Sequence, residues 1–152
     1  MYQYLQFCPV SFKKKGCYRN NHHGDYHLHE LLFTDRDSSS SAFSGIKKAS
    51  NDLQNYVLKL ICRCAEKANQ NQFTYFAIQH NGDCKSGDQT SLNNYKSVEK
   101  SKACISHDLS PCEDISSVCV GKNGSNFVYE ITGGPGPEKK SFIAFKETVK
   151  ER

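Results

Sequence analysis

Three groups of side chains in this chain could do chemistry. The densest is His22-His23-Gly24-Asp25-Tyr26-His27-Leu28-His29-Glu30. On a strand, Asp25, His27 and His29 would share one face, and two imidazoles with a carboxylate can hold zinc or copper. No fixed-spacing signature such as His-Glu-x-x-His accompanies them. No metal is therefore assigned, and His27 and His29 stand only as candidate ligands in a polar loop. Asp37-Ser38-Ser39-Ser40-Ser41 fits a D-x-S-x-S string that suits a hard cation. Such a string arises easily in a serine tract, and the large doubly wound sheet that normally supports such a site has no room here. An EF-hand is excluded because the turn glycine and the acidic twelfth position are missing. His80 and His107, with a lysine, could supply the acid–base set of a small secreted ribonuclease. The lysine-bearing stretch Cys84-Lys85-Ser86-Gly87-Asp88-Gln89-Thr90 lacks the Asn-Thr-Phe continuation that such an enzyme requires. Nucleophile-elbow, phosphate-loop and Cys–His protease patterns are absent. The expectation is a protein that is not an enzyme and needs no cofactor.

The eight cysteines, Cys8, Cys17, Cys62, Cys64, Cys84, Cys104, Cys112 and Cys119, contain no C-x-x-C pair. Zinc knuckles need such pairs, so a disulfide framework formed in an oxidising compartment is the better reading. Eight cysteines allow 105 pairings, and spacing alone chooses none. Asn123-Gly124-Ser125 is a sequon with neighbouring glycines, which places Asn123 in an exposed turn as a candidate glycosylation site. Met1–Val10 has neither a basic start nor an apolar stretch and so is no secretory signal. The chain reads as a mature or recombinant segment whose signal has been removed.

At 152 residues the chain has material for one domain, and its net charge of +4 is concentrated at Lys13–Lys15, Lys47–Lys48 and Lys139–Lys140. This mild basicity suits acidic glycans as well as nucleic acid and selects neither. The mean hydropathy is -0.67, and no stretch approaches the length of a membrane span. A soluble chain without membrane insertion is expected.

These residues need elements to position them. Leu53, Tyr56, Val57, Leu60, Ile61, Cys64, Ala65 and Ala68 recur at steps of three and four, which predicts a helix over about Asn51 to Ala68 capped by Ser50 or Asn51. Cys62 and Cys64 fall about 200° apart around it, so the helix is stapled on two sides. Phe73–His80 is apolar on both faces and reads as a central strand. Asn81-Gly82 follows as a hairpin turn, and Asp83 begins the return strand carrying Cys84. Asn126–Ile131 and Ser141–Lys146 are two more strands separated by Gly133-Gly134-Pro135-Gly136-Pro137. Tyr2–Phe7 can form an edge strand, Leu31–Phe33 is a short apolar run, and Asp35–Gly45 is a loop with too little apolar material to pack. The fold class is α+β, with one main helix packed on a small antiparallel sheet and disulfides as staples.

One ordered constellation goes further. Gly16-Cys17-Tyr18, the helix with Cys62 and Cys64-Ala65, Phe76-Ala77-Ile78-Gln79, Gly82-Asp83-Cys84-Lys85-Ser86-Gly87, Tyr95, Cys104, Cys119-Val120-Gly121 and Asn126-Phe127-Val128-Tyr129 occur in this order. Together they resemble the WSC- and PAN-like modules of extracellular animal proteins. The resemblance covers about residues 15–132 of a single 1–152 domain, with a C-terminal strand at 141–146. It departs from the family in its C-x-C helix spacing, a longer segment from Asn20 to Asn51, and the absence of Trp. The last leaves Tyr or Phe to stack on any sugar ring.

The resemblance implies a disulfide-stapled extracellular protein, secreted or on the cell surface, that recognises carbohydrate or a matrix protein without catalysis. On that basis Cys17–Cys119 would join the module's ends. Cys62 and Cys64 would tie the helix to neighbouring strands, one of them through Cys84, and Cys104–Cys112 would close a local loop. The expected partner is a glycan or an extracellular protein, with no nucleic acid. The expected ligand site is the hairpin mouth, Gln79, His80, Asn81, Asp83, Lys85 and, across it, Tyr95, whose amide and charged groups suit sugar hydroxyls. The alternatives are a structural or interaction protein of a matrix, venom or defence kind and, third, a small ribonuclease-like or metal-dependent enzyme.

Overall fold

A computed structural model describes residues 8–19, 28, 30–47, 52–79, 82–87 and 100–135. Among these are one helix, α1 (Leu53–Gln70), and seven strands: β1 (Ser11–Arg19), β2 (Glu30–Thr34), β3 (Tyr75–Gln79), β4 (Asp83–Ser86), β5 (Cys104–Ser106), β6 (Cys119–Gly121) and β7 (Ser125–Gly133). Five strands form one sheet in the order β1-β7-β3-β4-β2, and β5 and β6 pair separately. Every pairing is antiparallel. This is a small α+β fold carrying four disulfide bonds.

The apolar stripe of α1 dictates how it docks. Leu60, Ile61, Cys64, Ala65 and Ala68 are fully buried and pack with Phe76, Ile78, Cys84, Phe127 and Tyr129 of the sheet. Burying each large aliphatic side chain of this kind contributes about 1.5–3 kcal/mol. Phe76 and Tyr129 stack at 5.0 Å, and Phe12 of β1 meets both rings edge-on. The sheet's other face carries a smaller cluster of Ala77, Val128 and Leu28, flanked by Tyr18 and Tyr75. β3 is thus the central strand that its two-sided apolar pattern predicts.

The helix begins at Leu53, later than the periodicity suggests. Ser50 and Asn51, the expected caps, lie outside the described residues. Asp52 holds the cap position without a side-chain cap bond. At the other end, Gln72 adopts the left-handed conformation (φ 66). Its N–H donates to the Asn69 carbonyl and the Phe73 N–H donates to Ala68, closing the last turn as a Schellman motif usually built on glycine.

β1 runs through the Lys13–Lys15 cluster, where apolar alternation is weak. Its pairing with β7 slips between Lys14 and Gly16, leaving Lys15 as the extra residue of a bulge. Gly16 takes φ +141 there, a conformation that side-chain-bearing residues rarely adopt. Gly121 is required by space: a Cβ would lie 2.0 Å from the Ser125 carbonyl oxygen. The expected strands at Tyr2–Phe7 and Ser141–Lys146 lie outside the described residues.

Asp35–Gly45 is a loop, but it is pinned. The Thr34 N–H donates to the Ala42 carbonyl, the Ser44 N–H donates to Thr34, and Phe43 bridges to Thr34 in parallel. Side-chain hydrogen bonds replace the apolar contacts that the composition lacks. Asp37, instead of presenting oxygens to a cation, accepts from the Ser39 N–H and Oγ. These bonds hold its carboxyl below the usual range. The D-x-S-x-S string is spent on a turn.

All eight cysteines are paired: Cys8–Cys62, Cys17–Cys104, Cys64–Cys84 and Cys112–Cys119. The two helix cysteines do anchor opposite sides, Cys64 to β4 and Cys62 to the N-terminal segment. Two expected pairs are corrected. Cys17 meets Cys104 instead of Cys119, because residues 100–101 run beside β1, with the Ser101 N–H donating to the Cys17 carbonyl. Cys112 meets Cys119 because the β5–β6 ladder aligns Cys104 with Gly121 and Ser106 with Cys119, and the Cys112 N–H bonds back to Cys104. Among the described residues no helix is long and apolar enough to cross a membrane.

Candidate functional site

The hairpin mouth forms where β3 gives way to β4. Gln79 and Asp83 are directly opposite in register, so three residues, 80–82, make the connection instead of a two-residue turn. The Gly82 N–H donates to the Gln79 carbonyl at 3.2 Å. Cross-strand partners share a face. By that rule Gln79, Asp83 and Asn126 lie together on the face away from α1, with Lys85 two positions further along. His80, Asn81 and Tyr95 lie outside the described residues.

The three described members of the expected site differ in what they have left to offer. Asp83 is occupied: its carboxylate accepts from Thr34 Oγ1 and from Arg36 Nη2 at 3.1 Å. Lys85 is half-buried. Gln79 is 6% exposed and its register partner Asn126 is 5% exposed, yet among the described residues Gln79 Oε1 and Asn126 Oδ1 have no hydrogen-bond partner. Leaving such an acceptor unmade when buried costs about 1–3 kcal/mol. A pair of adjacent amides with unspent acceptors is the uncommon feature of this face.

Behind the mouth is a polar brace that sequence reasoning missed. The Asp35 N–H donates to the Gly82 carbonyl at 2.9 Å, tying the loop after β2 to the hairpin. The buried Asp35 carboxylate accepts from Arg63 Nη1 at 3.1 Å and from Arg63 Nη2, Tyr56 Oη and Ser44 Oγ. Burial alone would raise the Asp35 pKa, but these hydrogen bonds and the Arg63 charge outweigh it and hold the group low. Burial, with that carboxylate beside it, pushes the Tyr56 hydroxyl up. Arg63 also lies 5.1 Å from the centre of the Phe33 ring. Asp35 and Asp83 are therefore each neutralised within the fold, and both serve to position the mouth. Compared with known proteins, the chain matches no family model and none of the curated proteins.

The remaining candidates land elsewhere. His27 and His29 lie outside the described residues. Among those described, the one grouping of metal-ligand types is Cys8, Cys62 and Glu66, whose sulfurs are joined to each other. His107 is buried after β5 with both ring nitrogens out of solvent and, among the described residues, unpartnered, so it does not present an acid–base group to a substrate. Asn123 sits exposed in the turn before β7, as the flanking glycines predict.

Two of the surface clefts among the described residues bear on this framework. One, of about 490 Å³, lies between α1 and the loop after β2, with Phe33, Phe43, Ile46 and Arg63 among its walls. The other, of about 370 Å³, opens at the far edge of the sheet beside β1 and is rimmed by Lys14, Lys15, Lys100 and Lys102. The first had no sequence signal, since its residues come from separate segments. The second had a partial one in the Lys13–Lys15 run.

Proposed function

We propose that the chain is a secreted or cell-surface recognition module of the WSC/PAN-like kind and that it binds a glycan at the hairpin mouth. The observation that supports the reading is the Gln79–Asn126 pair: two register-opposed amides whose acceptor oxygens are out of solvent and without a partner among the described residues, so that a sugar hydroxyl donates to them only where the face opens to admit it. Lys85 supplies an adjacent cation. His80, Asn81 and Tyr95 complete the contact set in this reading, with Tyr95 as the stacking surface that Trp would otherwise provide. Asp83 is reassigned from ligand contact to support, because Thr34 and Arg36 already use its oxygens. Four disulfides are typical of extracellular proteins and fit this location.

A glycan array with the parent and with Gln79→Leu, Lys85→Ala and Tyr95→Ala tests the proposal, each variant first shown to melt like the parent. Binding by the parent that falls in the variants is expected. Undiminished binding in all three would remove the site, and no binding by the parent would remove the glycan class.

A second reading has its own observation. Ile115 is 90% exposed on the loop between β5 and β6, a single apolar side chain and not a patch, which gives a protein partner one place to be probed. An indifferent glycan array together with a protein partner lost on Ile115→Ser would favour it.

A further inference from the structure

The lysine-rimmed cleft beside β1 is not part of the hairpin mouth, and it has the makings of an anion site. Lys14, Lys15, Lys100 and Lys102 line it, against Glu113 and Asp114. Lys14 is already fixed: its ammonium donates to the main-chain carbonyls of Asp114, at 2.9 Å, and Ser116. An ammonium has three protons, so one remains for a ligand on a group that needs no further ordering. Lys15 is drawn toward Glu130 at 3.6 Å, which leaves Lys100 and Lys102 as the exposed cations of the rim.

The floor and its scaffold are rigid. The Cys17–Cys104 disulfide joins the two sides of the cleft, the Ser101 N–H donates to the Cys17 carbonyl, and Lys100 bridges to Tyr18. Lys100 and Lys102 both line the cleft, on either side of Ser101. Phe127, the aromatic ring among the described lining residues, is buried, so those residues offer lysine charge and not a ring face to a sugar. Recognition here has to be ionic, which selects charged groups over neutral pyranose faces.

We propose that this cleft binds the sulfate or carboxylate groups of an acidic glycan, Lys14 acting as the fixed contact and Lys100 and Lys102 as adjustable ones. The inference rests on the reading of the chain as a glycan-recognition module and adds the charge class of its ligand. Among polyanions the glycan is favoured because a disulfide framework places the chain with extracellular partners.

Heparin binding by the full, oxidised chain at physiological ionic strength, measured by calorimetry, is the test. De-sulfated heparin, inorganic sulfate, duplex DNA and phosphatidylserine vesicles serve as the other probes. Lys100→Gln/Lys102→Gln should weaken heparin binding about five- to ten-fold, as two partly solvated charge contacts would. Lys59→Gln/Lys67→Gln on α1 removes the same net charge and should change it less than two-fold. Equal losses in the two double variants would overturn the site, since net charge alone would explain them. Tight binding of DNA or vesicles at the level of heparin would overturn the glycan class, and absence of heparin binding would overturn the proposal outright. Binding of neutral glycans that survives loss of heparin binding would leave the hairpin-mouth reading standing while this one fails. Loss of neutral-glycan binding in the mouth variants alone, with heparin binding intact, would support two separate sites.

Discussion

Replacing Arg63 with alanine should destabilise the protein by about 2–3 kcal/mol. The Asp35 side chain is 1% exposed and Arg63 26% exposed. Removing one partner of a fully buried ion pair costs about 3–5 kcal/mol because the other charge is stranded. Partial solvation of Arg63, and the Ser44 and Tyr56 hydroxyls that still donate to Asp35, bring the expected loss to the lower figure. In a chain of this length it corresponds to a fall in Tm of about 5–10 °C. Arg36→Ala is the milder comparison: half of its side chain is exposed in the pair with the buried Asp83, and Thr34 Oγ1 still donates to that carboxylate, so a smaller loss of about 1–2 kcal/mol is expected. Thermal and guanidinium unfolding with disulfides intact would measure both. Acidification adds a second signature. The Asp35 carboxyl is lower in the folded chain than its ordinary value of about 3.9. Its contribution is full above that pH and is lost as pH falls through the folded value. The gap between parent and Arg63→Ala should therefore close below about pH 4. A variant within 0.5 kcal/mol of the parent at neutral pH, or a gap unchanged by acid, would refute the brace.

Other outcomes follow from the same structure. Tyr129→Phe removes the hydroxyl that accepts from the Cys119 N–H at 2.8 Å and donates to the Cys119 carbonyl, and should cost about 1–3 kcal/mol in denaturant unfolding. Gln72→Gly relieves a left-handed backbone at the end of α1 and should raise stability by about 0.5–1 kcal/mol; a loss would show that the Gln72 side chain matters more than its backbone. Loop-closure entropy ranks the disulfides. Removing Cys17–Cys104, with a sequence separation of 87, should cost more than removing Cys112–Cys119, with a separation of 7, by about 2 kcal/mol. Expression through a eukaryotic secretory route should add a glycosidase-sensitive mass increment that Asn123→Gln abolishes.

Features with a period were legible in the sequence, and features built by distant residues were not. Eight apolar positions at helical spacing predicted α1 to within a turn, and the two-sided apolar run at Phe73–His80 predicted a central strand, found at Tyr75–Gln79. The Cys62/Cys64 angle on the helix demanded staples on two sides, as found, although Cys62 reaches Cys8, ahead of β1, and not a strand. β1 escaped because the bulge at Lys15 breaks alternation and three lysines mask the pattern. β5 and β6, three residues each, are too short to show a period. The missed strands explain the mistaken pairs: without a β5–β6 ladder, nothing brings Cys112 to Cys119. At the mouth, the hairpin signal brought Gln79, Asp83 and Lys85 to one turn, and the strand register puts them on one face. Asn126, 47 residues beyond Gln79 in the chain and opposite it in the sheet, carried no local signal. The same holds for Asp35 and Arg63, whose separation of 28 residues has no motif.

Non-reducing peptide mapping by mass spectrometry would examine the foundation of this reading, since the compartment, the register of β1 and both proposed ligand surfaces depend on the cross-links. Peptides joined as Cys8–Cys62, Cys17–Cys104, Cys64–Cys84 and Cys112–Cys119, with no free thiol, are expected. Four or more free thiols in the native protein would contradict the extracellular recognition module, and a Cys17–Cys119 link would contradict the lysine cleft.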